Sequence, residues 1–273
     1  MGRARTEGLD TVAECIHGFD EGLCDICFPR VVPEPPPTVT ATATATTKAR
    51  PTRASGPRIR RAAGASARST STGPAFSKRR LYHWTHARNL ESILLDGALR
   101  SIAGGADPDV DTAAPLVRQL RAAADVGTGK RVDAFVPFAL TPDADRWIEL
   151  RDGATGAAWS TAARLSSPTE YVMLVLPAST AGDDAVVAHG DASAPATVFS
   201  VDDPVRAVAR ISREEQDLAA AEVLLPDPVP IDTITLIGVP NEPMRNRVRR
   251  MFDAVEGAAP RIVVHPPWFT PSE

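Results

Sequence analysis

The chain has 273 residues, of which 43% are hydrophobic and 23% are charged, and its net charge is −4. It contains no apolar run of 18 residues, so the sequence predicts no membrane span and no membrane partner. The N-terminal residues MGRARTEGLDTVAE contain no apolar stretch, which argues against a Sec-type signal peptide. We therefore expect a soluble, cytoplasmic protein.

The charges are distributed unevenly along the chain. Residues 31–80 hold ten basic residues and one acidic residue, whereas residues 81–273 hold 17 basic and 27 acidic residues. A basic middle segment therefore precedes an acidic body, and the charge of each has to be interpreted separately.

Residues 15–27 read CIHGFDEGLCDIC and contain every cysteine of the chain. A Cys-x-His pair and a Cys-x-x-Cys pair supply four candidate metal ligands, Cys15, His17, Cys24 and Cys27. Thiolates and imidazole suit tetrahedral zinc, and four protein ligands would make the site structural. The alternative is a redox Cys-x-x-Cys pair, although no βαβ pattern surrounds it. We predict a zinc knuckle in residues 1–30.

The basic segment, residues 31–78, is dominated by proline, threonine, alanine, serine and arginine. It has no periodic apolar stripe and cannot offset the entropy cost of folding, so we predict a disordered basic linker. Its charge indicates either weak, salt-sensitive binding of phosphate groups or a solvated tether that only aids solubility.

From residue 79 onward the pattern is that of a folded domain. RRLYHWT is typical of a strand, and ARNLESILLDG is typical of a helix that ends at Gly97. Further strands are predicted at 132–140, 170–177, 184–189, 196–200, 221–226, 234–240 and 261–266. Helices are predicted at 204–221 and 242–257, whereas residues 107–131 look polar and irregular. Helices and strands do not alternate regularly and no Gly-x-Gly-x-x-Gly or Walker motif occurs, so we expect an α+β sheet domain rather than a Rossmann or P-loop fold.

Three polar residues stand out in this domain. His83 and His86 lie at the end of the first predicted strand, where a histidine is more often a hydrogen-bonded structural residue, and no third ligand for a metal stands nearby. Glu222 begins the apolar run AEVLLP, and a carboxylate within a small strand needs a partner or a chemical purpose. It forms either a salt bridge with an arginine of PVRAVARISR or part of a catalytic site.

Four blocks of the domain carry a combined pattern, and they occur in the order LYHWTHARNLESILLDGAL, FVPFALTP, VVAHGDASAPATVF and AEVLLPDPVPIDTITLIGV. The first is similar to Tyr-His-x-Thr-His…Asn-Leu…Ile-Leu…Gly-Leu, and the second to Tyr-Val-Pro-Phe-Tyr-Phe-x-Pro. The third is similar to Asp-Gly-Asn-Ala-Ala…Thr-x-Phe, and the fourth to Ala-Glu-Phe-Leu-Val…Val-Pro…Ile. These are patterns of the DarT family, the DNA ADP-ribosyltransferase toxins, which the domain therefore resembles.

The resemblance implies an ADP-ribosyltransferase domain over residues 79–273, built on a split, mostly antiparallel sheet with flanking helices. It implies cleavage of NAD at the nicotinamide–ribose bond and transfer of ADP-ribose to a thymine or guanine base of single-stranded DNA, of which we expect thymine. Carried over by position, Glu222 becomes the catalytic glutamate, and His83 and Thr85 become NAD contacts. Arg121 is the best match for the catalytic arginine, with Arg118 as the alternative.

The family usually has a macrodomain antitoxin, DarG, so we expect such a partner and a role as a toxin or defence effector. Where family members continue with Arg-Ser-Pro-Met-Leu-Tyr, this chain reads DADRWIEL (143–150), which leaves RNA and protein open as acceptors. The second class of function is a non-catalytic nucleic-acid-binding protein with a degenerate transferase domain. Because the body is acidic, we expect the basic linker or the zinc knuckle to hold the nucleic acid.

Overall fold

The computed structural model describes residues 76–211, 215–255 and 259–272. Its strands are β1 (Arg80–His86), β2 (Ala98–Leu99), β3 (Phe135–Ala139), β4 (Tyr171–Pro177), β5 (Val186–Ala188), β6 (Phe199–Ser200), β7 (Glu222–Pro226), β8 (Val229–Pro230), β9 (Leu236–Val239) and β10 (Arg261–Val264). Its helices are α1 (Asn89–Asp96), α2 (Pro115–Ala123), α3 (Asp145–Arg151), α4 (Thr161–Leu165), α5 (Pro204–Ile211), α6 (Glu215–Ala220) and α7 (Glu242–Asp253).

Eight of these strands form one sheet, in the order β10-β9-β4-β1-β3-β7-β5-β6, while β2 and β8 form a separate ribbon. Neighbouring strands of the large sheet run antiparallel, except for β9 and β10, which run parallel. The structure thus confirms the predicted α+β fold with a mostly antiparallel sheet and flanking helices.

The sheet divides between its two middle strands, β1 and β3. β1 pairs with β4 along its whole length, from Arg80 to His86, but it pairs with β3 only where Tyr82 faces Ala139. Beyond that position β1 and β3 separate, and the edges of both strands become available to line a cleft. The family resemblance implied a split sheet, and the split lies between β1 and β3.

Helices and loops cover both faces of the sheet, which explains why the central strand β4 is apolar throughout, with residues 171–176 all buried. On one face, Leu90 of α1, Val208 of α5 and Val248 of α7 belong to a single apolar cluster. On the other face, a smaller cluster includes Phe135 and Leu224. Side chains alternate along β7, so Glu222 shares the face of Leu224 and points toward the smaller cluster.

Several helices differ from the sequence prediction. The prediction that residues 107–131 are irregular was wrong, because α2 lies within them. Val117 of α2 is buried and Leu120 is partly buried, whereas Leu116 is 59% exposed, so α2 packs on the domain through a short apolar stripe that the polar residues around it obscured in the sequence. The single helix predicted at 204–221 is described as two stretches, α5 and α6. Gly97 ends α1 as predicted, with φ 67° in the left-handed region.

The predicted zinc ligands and most of the predicted linker lie outside the described residues. The last three linker residues, Phe76–Lys78, form a short 3-10 turn, and the Phe76 side chain packs into the larger apolar cluster. Within the described ranges, no helix has both the length and the apolar character needed to cross a membrane.

Candidate active site

A cavity of about 420 Å³ opens where β1 and β3 separate. Its wall includes residues of β1, α1, α2, β3 and β7, so it lies at the split of the sheet. Most of the residues singled out in the sequence line it, namely His83, Thr85, Arg118, Arg121 and Glu222.

Glu222 is the first residue of β7 and lies between Ala139 of β3 and Ala188 of β5. Its side chain is only 14% exposed, and three N–H donors point at its carboxylate. Arg121 donates from both terminal nitrogens, at 3.3 Å to Oε1 and 3.0 Å to Oε2, and the backbone N–H of Ala192 donates to Oε1 at 2.9 Å. A carboxylate held by three donors in this way has a fixed orientation in a shielded site.

The sequence offered an arginine of PVRAVARISR as the ion-pair partner of Glu222, but the partner is Arg121, in the last turn of α2. Arg118 lies one turn earlier in the same helix and pairs instead with Asp111, through bonds of 2.8 and 2.6 Å. Both arginines line the cavity, but Arg121 is the one that contacts Glu222.

The electrostatic surroundings fix the charge of Arg121. Burial alone would lower its pKa, but the Glu222 carboxylate, together with the charges of Asp191 and Asp133, outweighs burial and raises the pKa above its ordinary value. Arg121 is therefore a cation at every accessible pH and cannot act as a proton acceptor.

His83 connects β1 to β3 near the point where the two strands separate. Its Nδ1 lies 2.8 Å from the carbonyl oxygen of Pro137 on β3, and because a carbonyl can only accept, Nδ1 carries the hydrogen. Burial lowers the pKa of His83, and the hydrogen bond with Pro137 offsets this only in part. His83 is thus neutral at pH 7, with its Nε2 lone pair left to accept a hydrogen bond from a hydroxyl group.

Thr85 is buried two residues further along β1, and its Oγ1 accepts a hydrogen bond of 3.2 Å from Asn89 Nδ2. Asn89, in the first turn of α1, also forms two hydrogen bonds with the backbone of Val110. Its Nδ2 donates to the Val110 carbonyl, and its Oδ1 accepts from the Val110 N–H. Thr85 and Asn89 therefore tie β1 and α1 to the loop that forms one wall of the cavity.

His86 has the structural role that is ordinary for a strand-end histidine. It is 4% exposed, its Nδ1 accepts from the Arg88 N–H, and its ring meets the Tyr171 ring edge to face. Burial lowers its pKa, against the opposing charge of Glu170. It does not line the cavity.

Sequence reasoning missed several residues that shape the cavity. Asn89, Asp111 and Arg146 all line it, and they contact residues that are distant in sequence, namely Val110, Ser160 and Asp191. Asn89 occurs in the block LYHWTHARNLESILLDGAL, so its match to the family pattern was the one available signal. Among the residues that the structure describes, there is no group of three or more His, Cys, Asp or Glu side chains that could hold a metal ion.

A protein-family model described as ssDNA thymidine ADP-ribosyltransferase, DarT, matches residues 82–270. The chain belongs to the DarT family. It is accordingly an NAD-dependent ADP-ribosyltransferase that modifies single-stranded DNA, and the recognition of the DarT pattern in its sequence is confirmed. No protein with curated function matches the chain.

Solved structures share the DarT fold. Thermus sp. 2.9 DarT in complex with ADP-ribosylated ssDNA is 20% identical, with a TM-score of 0.60 over 70% of this chain and 96% of that one. The same Thermus protein in complex with NAD+ is 17% identical, with a TM-score of 0.56 over 70% and 98% of the two chains. Thermosipho africanus DarTG in complex with ADP-ribose is 17% identical, with a TM-score of 0.53 over 70% of this chain and 51% of that one.

Proposed function

We propose that the cavity at the split of the sheet binds NAD with its nicotinamide ribose against Glu222, and that it transfers ADP-ribose from there to thymine in single-stranded DNA. The observation that carries this proposal is the Glu222 carboxylate, shielded in the cavity and fixed by Arg121 and the Ala192 N–H. The Thermus relative has been captured with NAD+ and with ADP-ribosylated ssDNA, which supports both substrates.

Glu222 is assigned to the bond-breaking step. When the bond between the ribose carbon and nicotinamide breaks, its electron pair leaves with neutral nicotinamide and positive charge develops on the sugar. A fixed carboxylate next to that carbon stabilises the charge, as in glycoside chemistry, and one such group is worth about 3–4 kcal/mol. A ring nitrogen of the base then bonds to the ribose carbon and loses its proton.

The remaining groups bind and orient the substrates. The Nε2 atom of neutral His83 is assigned to a ribose hydroxyl, and Thr85, on the same strand, to the NAD side of the cavity. Two of the five guanidinium N–H groups of Arg121 bind Glu222, and the others are assigned to a diphosphate or a base carbonyl. The raised pKa of Arg121 excludes it as the acceptor of the base proton, so that proton is assigned to the Glu222 carboxylate.

The decisive test is transfer of labelled ADP-ribose from NAD to single-stranded DNA, RNA and total protein, with Glu222→Ala measured beside the wild type. Label on DNA with the wild type alone supports the assignment of reaction, acceptor and Glu222. Label on RNA or protein keeps the enzyme and overturns the acceptor. No label and no NAD cleavage would favour the non-catalytic binding protein.

The N-terminal third is assigned to nucleic-acid binding. Residues 31–80 are strongly basic, whereas the domain after them is acidic, so the linker offers the positive charge that a DNA backbone requires. The four residues Cys15, His17, Cys24 and Cys27 remain the candidate ligands of a structural zinc ion. If deleting residues 1–70 leaves DNA affinity and its salt dependence unchanged, this part of the proposal fails.

A macrodomain antitoxin remains a proposed partner. The Thermosipho relative, named DarTG, was captured with ADP-ribose. Expression of the wild-type chain is expected to be toxic, and a Glu222→Ala form is expected to be harmless. Co-expression of a macrodomain that removes ADP-ribose from DNA is expected to restore growth, and failure to restore it would contradict the partnership.

A further inference from the structure

The loop that connects β5 to β6, residues 189–198, contacts the proposed catalytic carboxylate directly. The N–H of Ala192 donates to Glu222 Oε1 at 2.9 Å, and Ala192 itself is fully buried. The position of this loop therefore decides whether one of the three donors reaches Glu222. The loop needs contacts that fix its position, because a connection between strands is otherwise the mobile part of a fold.

Asp191, the residue before Ala192, organises the loop internally. Its Oδ1 accepts from both the N–H and the hydroxyl of Ser193, at 2.8 and 2.6 Å. Its carbonyl accepts from the Ala194 N–H at 2.9 Å and from the Thr197 hydroxyl at 2.5 Å. With Oδ1 and the carbonyl used inside the loop, Oδ2 faces outward to Arg146 Nε at 3.4 Å.

Arg146 is anchored on elements that do not belong to the loop. It projects from α3, and a terminal nitrogen of its guanidinium lies 3.3 Å from Glu149 one turn later. Its guanidinium carbon lies 5.0 Å from the centre of the Trp159 ring, and Trp159 is 5% exposed. An arginine that is stacked on a buried indole and paired with its own helix loses little further entropy when it also binds Asp191.

We propose that the Arg146–Asp191 ion pair, called the latch below, holds the β5–β6 loop against α3 and thereby positions the Ala192 N–H on Glu222. Arg146 is a positioning residue, because it acts on the carboxylate through the loop. Burial would raise the pKa of Asp191, but its bonds with Ser193 and the charges of Arg146 and Arg121 outweigh burial and lower it. The latch is therefore charged throughout the neutral range. Its catalytic consequence rests on the proposed role of Glu222.

The structure offers matched variants for a test in the full chain. Arg146→Met keeps an apolar contact with Trp159 but removes the charge, and Asp191→Asn keeps the acceptor for Ser193 but removes the ion pair. Glu149→Gln is the control, because it removes the other negative charge beside Arg146 without touching the loop, while the glutamine keeps an oxygen that accepts the hydrogen bond from Arg146. Two readouts are needed, namely hydrogen exchange of the Ala192 amide by NMR and the kinetics of ADP-ribose transfer.

The latch predicts that exchange at Ala192 becomes about tenfold faster in Arg146→Met and in Asp191→Asn and stays unchanged in Glu149→Gln. It also predicts that kcat falls about tenfold to a hundredfold in the first two variants while KM for NAD stays within about twofold. The double variant should be no worse than the poorer single variant, because both remove one interaction.

Unchanged exchange at Ala192 in Arg146→Met, or an equal effect of Glu149→Gln, would overturn the latch. A double variant whose loss equals the product of the two single losses would overturn it as well. If the wild type transfers no ADP-ribose, the proposed function fails, and the exchange measurement still decides on the latch by itself.

Discussion

Arg121 and Glu222 are 101 positions apart in the chain, yet the guanidinium of one meets the carboxylate of the other through two hydrogen bonds, at 3.3 and 3.0 Å. Arg121 comes from the last turn of α2 and Glu222 from the first position of β7. Their side chains are 17% and 14% exposed, so the pair is shielded from water and its attraction is stronger than that of a surface ion pair. A substrate that enters the cavity meets a carboxylate whose orientation is already fixed.

Replacing Glu222 by glutamine is expected to reduce ADP-ribose transfer by about a hundredfold to a thousandfold, because the side chain keeps its shape but loses the charge that stabilises the ribosyl cation. The check is the single-turnover rate of nicotinamide release. Glu91→Gln, at an exposed position in the first turn of α1, is the matched control and should retain the wild-type rate. Comparable rates for Glu222→Gln and Glu91→Gln would refute the role of Glu222.

Methionine substitutions should distinguish the roles of the two arginines of α2. Arg121→Met removes two donors from Glu222 and is expected to lower kcat by about a hundredfold. Arg118→Met frees Asp111, in the loop that lines the cavity, and is expected mainly to raise KM for NAD. Steady-state kinetics of both variants provide the check. If Arg118→Met lost more kcat than Arg121→Met, the assignment of the two arginines would have to be exchanged.

The sequence predicted the elements whose patterns are local. Alternation and apolar runs predicted β1, β4 and β7, and 3.6-residue periodicity predicted α1, which ends at Gly97. Glu222 was detectable because a carboxylate at the start of an apolar strand is unusual. The family resemblance pointed to Arg121, but its pairing with Glu222 was not predicted, because the ion pair depends on how α2 packs against the sheet.

The same limit explains the other residues that were missed. Asn89 binds Val110, 21 positions away, and Arg146 reaches Asp191, 45 positions away in the sequence. Neither pair leaves a periodic signal, since each is set by tertiary packing. Family resemblance drew attention to the blocks that contain Asn89 and Asp191, but the contacts became visible only in the fold.

The pH dependence of stability is expected to report the neutral state of His83. The unfolded chain binds a proton at this histidine near its ordinary pKa of about 6.5, whereas burial lowers the pKa in the folded chain. Below about pH 6.5 the unfolded state therefore binds more protons at His83, and the free energy of unfolding falls as the pH is lowered toward the folded-state pKa.

His83→Asn keeps a donor for the Pro137 carbonyl and removes the titration. Urea unfolding at about pH 7.5 and about pH 5.5 should show a smaller acid-induced loss of stability in His83→Asn than in the wild type. His86 is present in both proteins, so its contribution cancels in the comparison. Equal losses in the two proteins would mean that His83 is not held neutral by the fold.

Asn89→Ala is expected to destabilise the domain by about 1–3 kcal/mol, because it leaves the N–H and carbonyl of Val110 without their partner. It should also weaken NAD binding, since the released loop lines the cavity. Ser92→Ala, one turn along α1, removes a bond within that helix and should cost about 0.5 kcal/mol or less. Urea unfolding of both variants checks the difference in stability, and equal losses would contradict the role of Asn89. NAD titration of Asn89→Ala beside the wild type checks the effect on binding.

The most direct test is the mass of a thymine-containing single-stranded oligonucleotide after incubation with NAD and the wild-type chain, beside an oligonucleotide in which cytosine replaces every thymine. The predicted result is addition of one ADP-ribose unit to the first oligonucleotide alone, strongly reduced with Glu222→Gln. Equal modification with Glu222→Gln would contradict the proposed catalytic centre. Modification of both oligonucleotides, or of neither, would contradict thymine as the acceptor.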